Sequence, residues 1–93
     1  IGGHVRFWQE DLTRLPVRAA ARYDVVFANL TADLLLGEST RILVRLKHGG
    51  SLVLAGILDA QFAGVCQHYE RCGLTLVRSR REKEWRSGWF LRL

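Results

Sequence analysis

Tyr23-Asp24-Val25-Val26-Phe27-Ala28-Asn29-Leu30 is the stretch of this chain best placed to present chemistry. Six of its eight residues are apolar, so it predicts a strand buried on both faces that ends on one polar side chain, Asn29. Open parallel sheets bind ligands just beyond the carboxyl ends of their strands, and an amide delivered there can orient a reacting group. Asn is also a common turn and N-cap residue, so the stretch alone supports both readings. Other chemistries find less support. Ser39, Ser51, Ser79 and Ser87 lie in no nucleophile elbow, and His4, His48 and His68 have no partners at metal-ligand spacing. Gly49-Gly50 precedes a strand, whereas a phosphate cradle follows a strand and opens a helix.

Length and composition set the frame for that amide. The chain has 93 residues, 48% of them hydrophobic and a quarter charged, enough for one small core. Apolar runs are too short for a membrane span, and the first residues lack the pattern of a signal peptide, so the expected setting is the cytoplasm. Opening on Ile1 with a strand almost at once predicts a domain cut from something longer. Cys66 and Cys72 stand six apart on one predicted helix, a spacing that excludes a local bridge or a CxxC metal pair and fits free thiols in a reducing compartment. The net charge of +5 arises from 14 basic residues, all but two of them arginine, against 9 acidic ones. That balance suits an acidic partner such as RNA. Arginines scattered over solvated faces give the same totals, and no basic block interleaved with aromatics spans the chain.

Several elements must hold the amide in place. His4 to Gln9 alternates Val5 and Phe7 against Arg6 and Trp8, as a strand does, and Glu10-Asp11-Leu12 ends it. Pro16 then interrupts any helix and predicts a loop into the central strand. From Ala32 to Lys47, Leu35, Ser39, Ile42, Leu43 and Leu46 recur at helical spacing, with Glu38, Arg41, Arg45 and Lys47 facing out and Gly49-Gly50 as the stop. Ser51 to Ala55 reads as a second buried strand, completing a parallel βαβ unit. Asp59 is placed to cap a helix carrying Phe62, Val65, Cys66, Tyr69 and Cys72 on one face, closed by Gly73. Leu74 to Arg78 and Gly88 to Leu93 predict two more strands, joined by the polar run Ser79 to Ser87 in an antiparallel return. Trp85 and Trp89 are expected to pack on a neighbouring helix rather than to face a substrate. The expected fold is three-layer α/β, a parallel sheet ending in an antiparallel C-terminal hairpin.

Taken together, certain landmarks resemble a known family. They are Tyr-Asp-Val-Val-Phe-Ala-Asn at 23–29, Leu46-Lys47-His48-Gly49-Gly50 before a strand, Gly56-Ile57-Leu58 followed by Gln61, Val65, Tyr69 and Gly73, and Glu84-Trp85 in the hairpin. This pattern is similar to the C-terminal two thirds of a class I S-adenosylmethionine-dependent methyltransferase, most closely the bacterial ribosomal protein L11 methyltransferase (PrmA) family. The resemblance covers nearly the whole chain from Tyr23 onward. It implies a partial Rossmann-like methyltransferase fold, with residues 1–93 forming part of a catalytic domain without its N-terminal Gly-rich cofactor loop. It also implies S-adenosylmethionine as cofactor and N-methylation of amines on a ribosomal protein; Arg78, Arg80, Arg81, Arg86 and Arg92 suit either contact with ribosomal RNA or the solubilising of a sheet edge.

Within the resemblance, Asn29 lies at the cofactor mouth beside the methyl group, as the catalytic and cofactor-binding residue. Asp11, the acidic residue after the strand at Val5–Gln9, holds the adenine amino group. A turn or cap role for Asp11 is the simple alternative. The chain departs from the family at Asn29-Leu30-Thr31, where Asn-Ile-Leu is usual, and at His48, where Pro is usual. It lacks the Pro-Pro-aromatic continuation of enzymes that methylate exocyclic base nitrogens, which favours a protein amine. Without the Gly-rich loop, the isolated chain is expected to be inactive and to bind cofactor poorly. Two rival functions remain at this level: a non-catalytic basic α/β module that binds RNA or protein, and a methyltransferase with a nucleic-acid or small-molecule acceptor.

Overall fold

A computed structural model of the chain describes residues 3–8 and 22–93. In chain order they form β1 (His4–Trp8), β2 (Tyr23–Asn29), α1 (Ala32–Gly37), α2 (Ser39–Leu43), β3 (Leu46–Leu58), α3 (Asp59–Arg71), β4 (Leu74–Glu82) and β5 (Trp85–Arg92). One five-stranded sheet runs in the order β1-β2-β3-β5-β4. β1 and β3 both lie parallel to β2, while β5 runs antiparallel to β3 and to β4. The direction of the sheet therefore changes at β3, as the apolar strands and the polar return predict.

Val26 and Ala28 of β2, Leu52 and Leu54 of β3 and Phe90 of β5 share one face of the sheet and are fully buried. They form a single core with Leu35, Ile42, Phe62, Val65 and Tyr69 from the helices. The opposite face is less covered. Val25 is 37% exposed and Trp89 39%, so β2 is buried on one face and not on two, and the described residues make two layers where three are predicted. The alternation of Val25, Phe27 and Asn29 against Val26 and Ala28 carries this difference.

Three local expectations are corrected. The helix predicted over Ala32–Lys47 is two short helices that break at Glu38, and β3 already begins at Leu46. Leu35, Ser39, Ile42 and Leu46 are still buried as the stripe demands, but Arg45, expected to face out, is only 6% exposed. Its guanidinium donates to the Arg41 carbonyl at 2.6 Å, so burial does not strand the charge. Gly49-Gly50 does not cap the helix. It lies in an irregularity of β3, where the register against β2 jumps from Tyr23↔Leu46 to Val25↔Ser51. A Cβ on Gly50 would come within 2.9 Å of the Asp24 and Lys47 carbonyl oxygens, so backbone approach selects glycine there. Finally, the polar run Ser79 to Ser87 is mostly strand: β4 and β5 pair residue for residue from Ser79↔Gly88 to Glu82↔Trp85, around a two-residue turn at Lys83-Glu84.

Candidate functional site at the carboxyl rim of the parallel strands

β2 ends at Asn29, which pairs with Trp8 of β1 and Ala55 of β3 at the carboxyl ends of three parallel strands. Its side chain is half-buried, on the face of β2 opposite Val26 and Ala28. Among the described residues its carboxamide has no hydrogen-bond partner, and no polar side-chain atom is both sealed from solvent and unpaired. The amide of Asn29 is thus presented at the rim rather than spent on a turn or a cap. The N-cap of α1 is Thr31, two residues further on.

Facing Asn29 is a bulge in β3. Between the pairs Leu54↔Gly88 and Ile57↔Arg86, β3 uses one residue more than β5, and Gly56 sits in that excess with φ +82°. A Cβ on Gly56 would lie 2.5 Å from Asn29 Oδ1 and 3.2 Å from the Leu30 carbonyl oxygen. Both the backbone conformation and the missing side chain keep the Asn29 carboxamide in its place.

Two open cavities meet at Gly56. One, of about 470 Å³, is lined by Ala55, Gly56 and the hairpin residues Arg80, Glu82, Trp85 and Ser87, among others. The second, of about 250 Å³, is lined by Thr31, Ala32, Asp33, Gly56, Leu58, Gln61 and Trp85. Asn29 lines neither; it stands behind Gly56, which lines both. Trp85 also lines both and is 48% exposed, so the expectation that it packs on a helix is corrected, as it is for Trp89, whose indole N–H donates to Ser51 Oγ at 2.9 Å. Sequence reasoning missed Trp85 and Gly56 as site residues. The available signal was the pairing of Glu84-Trp85 with Gly56-Ile57-Leu58 among the family landmarks.

The hairpin is tied down beside this rim. The Asp59 backbone N–H donates to the Glu84 carbonyl at 2.8 Å, and Arg86 Nε donates to Asp59 Oδ1 at 2.8 Å. Arg86 also donates to Ser79 Oγ at 3.1 Å and lies over the Phe62 ring at 5.3 Å. Asp59 is therefore the first residue of α3 and an ion-pair anchor; the N-cap is Leu58. The Arg86 hydrogen bond holds the Asp59 carboxyl below its usual range; partial desolvation opposes this, and the nearby charges of Arg81 and Arg86 add to the lowering.

Asp11 lies outside the described residues, so its position relative to Asn29 is not part of this geometry. Ser39 Oγ and His68 Nε2 are 2.8 Å apart between α2 and α3, and neither lines the two cavities at Gly56. Burial, reinforced by Glu70, pushes the Cys66 thiol up, which makes it a poor nucleophile. Among the described residues no group of three or more His, Cys, Asp or Glu could hold a metal, and no helix is long and apolar enough to cross a membrane.

Parallel strands that pass through a helical crossover into an antiparallel hairpin define a partial Rossmann-like methyltransferase fold. The backbone fold is similar to that of the crystal structure of a ribosomal protein L11 methylase from Lactobacillus delbrueckii subsp. bulgaricus, with a TM-score of 0.73 at 20% identity over 80% of this chain and 38% of that one. Residues 5–90 match the family model of ribosomal protein L11 methyltransferase (PrmA), and the chain belongs to that family. Its relatives include ribosomal protein L11 methyltransferases of Geobacter sulfurreducens and Geotalea uraniireducens, each 41% identical over 64 residues and 69% of this chain. The chain spans about a fifth of the length of these relatives, 21% and 20% respectively.

Proposed function

We propose that this chain is the acceptor-side part of a catalytic domain that transfers a methyl group from S-adenosylmethionine to an amine of a ribosomal protein, in the cytoplasm. The carrying observation is the Asn29 carboxamide, unpartnered among the described residues, at the end of a parallel strand and kept clear by Gly56. The residues present fit such a cofactor. The parallel strand ends form the rim where open α/β sheets take ligands, and the bulge at Gly56 leaves no side chain over the amide. S-adenosylmethionine, when bound, supplies an electrophilic methyl group on sulfur. Asp11, which follows β1 in the sequence, would hold the adenine amino group, and the Gly-rich loop of the domain is not among these residues.

What Asn29 contributes is orientation. An acceptor nitrogen must arrive uncharged with its lone pair aimed at the methyl carbon. The amide oxygen accepts an N–H bond from that nitrogen without stabilising the ammonium form, which a carboxylate would do. Trp85 walls the approach, and the exposed guanidiniums of Arg78 and Arg80 suit phosphates of ribosomal RNA next to a protein substrate.

The test uses the complete protein that carries this chain, with ribosomal protein and ribosomal RNA offered separately as acceptors. Asn29→Ala is expected to lower kcat by about 10²-fold, the scale of a misplaced reacting group. Asn29→Asp is expected to move the activity profile to higher pH, because the carboxylate holds the ammonium form. Full turnover by Asn29→Ala would overturn the role of the amide, and methyl transfer to RNA but not to protein would overturn the acceptor.

A further inference from the structure

The described helices pack on one face of the sheet, and the other face has a composition of its own. Trp85 and Trp89 stand four residues apart on β5, 48% and 39% exposed, and strand alternation turns both away from the side of Phe90 and the helices. Across the ladder Trp89 pairs with Arg78 of β4, and Arg80 pairs with Ser87, which lies between the two indoles. Two arginines therefore flank two indoles on one surface. Arg78 and Arg80 are exposed and make no hydrogen bond or ion pair among the described residues. Glu82, opposite Trp85, is the one carboxylate at these paired positions.

Both indoles are fixed while remaining accessible. The Trp89 N–H donates to Ser51 Oγ of β3 at 2.9 Å, which ties one edge of the ring to the neighbouring strand. Trp85 pairs with Leu58 at the end of β3, and the hairpin beside it is anchored by Arg86 on Asp59 at 2.8 Å. At about 3.4 Å per residue the two rings are rooted roughly 14 Å apart along β5. Ordered aromatics on an open sheet face stack unpaired bases, and cations alongside them track the phosphates. Other occupants match less of this surface. An apolar segment would seal Arg78 and Arg80 from water without partners, and a second copy would set one chain of charge +5 against another. A nucleic-acid duplex hides the base faces that the indoles would stack on.

We infer that this face of β4 and β5 binds a single-stranded segment of RNA, with bases stacked on Trp85 and Trp89 and the phosphates between them met by Arg78 and Arg80. The contact uses neither Asn29 nor the cofactor, so it is binding and not chemistry. The choice of RNA rests on the ribosomal reading above, which it deepens by giving the RNA contact a defined surface. The arginines attract any phosphate backbone; the indoles confine the binding to unpaired strands.

The test uses the complete protein that carries this chain. Fluorescence anisotropy follows a labelled oligouridylate and an RNA duplex of the same length over a range of salt, with polyglutamate as a competitor. The single strand is expected to bind about tenfold more tightly than the duplex, and polyglutamate to compete poorly. Trp89→Leu keeps an apolar side chain without a stacking ring and is expected to weaken the single strand by about five- to a hundred-fold, whereas Trp89→Phe should keep most of the affinity. Arg78→Gln should weaken binding and lower the slope of log affinity against log salt by about 0.7. Equal affinity for strand and duplex, full binding by Trp89→Leu, or displacement by polyglutamate as effective as by unlabelled RNA would overturn the inference. So would a Trp89 that acrylamide fails to quench, read as the difference between the unaltered protein and Trp89→Phe, because another part of the polypeptide would then cover the face. Single-stranded RNA binding by a protein that methylates no ribosomal protein would leave the surface standing and defeat the methyltransferase reading. Methylation of the isolated ribosomal protein without any RNA binding would do the reverse.

Discussion

Gly56→Ala tests the geometry of the rim most directly, because it loads a positive-φ backbone and a close contact at one position. At φ +82° an alanine pays the left-handed penalty, about 1–2 kcal/mol. The added Cβ also meets Asn29 Oδ1 at 2.5 Å and the Leu30 carbonyl oxygen at 3.2 Å. The first contact is with the end of a rotatable side chain, so it is relieved mainly by turning the carboxamide away. The second involves backbone and yields less. The expected total is about 1–3 kcal/mol of lost stability, which for a domain of this size lowers Tm by roughly 5–20 °C.

Urea denaturation followed by tryptophan fluorescence reads that loss. A double-mutant cycle separates its parts. In an Asn29→Ala background the Oδ1 contact is gone while the backbone cost remains, so the coupling between the two substitutions should be small, about 0.5–1 kcal/mol. Gly56→Ala within about 0.5 kcal/mol of the unaltered chain would refute the argument from φ. Complete recovery in the double variant would show that side-chain crowding, and not the backbone, carries the cost.

Two further outcomes follow from buried and paired groups. The Tyr69 hydroxyl donates to the Leu35 carbonyl at 2.6 Å inside the core, so Tyr69→Phe leaves that carbonyl unpaired and should cost about 1–3 kcal/mol by urea denaturation. Burial raises the Tyr69 pKa above its ordinary value of 10.0. Its contribution is therefore complete below about pH 10 and lost as pH climbs toward the folded value, and Tyr69→Phe should make alkaline unfolding shallower; an unchanged slope contradicts this. For Asp59 the sign is opposite. Its folded pKa lies below 3.8, so its contribution is present above that pH and lost as pH falls through the folded value. Asp59→Asn should flatten the acid limb of a stability profile below roughly pH 4, and an acid limb of unaltered steepness would rule out the Arg86 pairing as its source.

How much of this was legible in the sequence depends on whether a feature is local. β2 and α3 declare themselves through period and apolarity, and Val26, Ala28, Phe62, Val65 and Tyr69 are buried as that pattern requires. The stripe Leu35, Ser39, Ile42 and Leu46 also reads correctly, although its backbone does not. An apolar residue such as Leu46 satisfies a helical stripe and the start of a strand equally well, and only the pairing Tyr23↔Leu46 decides between them. Gly50 misleads for the same reason, since its need for glycine arises from Asp24, remote in sequence. β4 from Ser79 onward resembles a loop because it is an edge strand with charged residues on both faces, held by its ladder to β5 rather than by burial. The amide of Asn29 was visible from residue type alone. Its setting was not, because Gly56 and Trp85 reach it only through the sheet.

That setting depends on the reversal of direction at β3. In a wholly parallel sheet the strand after β3 would begin at the far rim, and its first residues could not approach Asn29. Because β5 runs antiparallel, its first residue, Trp85, pairs with Leu58 at the carboxyl end of β3, on the same rim as Asn29. The extra residue at Gly56 lies between them. The wall of the site is thus built by an element that shares no direct ladder with the strand carrying the amide, and its position depends on the hairpin's attachment to α3. That attachment comprises the Asp59 N–H to Glu84 carbonyl bond, the Arg86 to Asp59 pair and the stacking of Arg86 on Phe62. Gly88 lets β5 lie close against Phe62, since a Cβ there would meet the ring at 3.0 Å. Substitutions along this path, far from Asn29 in sequence, would move the Trp85 wall while leaving the amide where it is, so under the proposed function their effect should fall on acceptor binding before it falls on the transfer step.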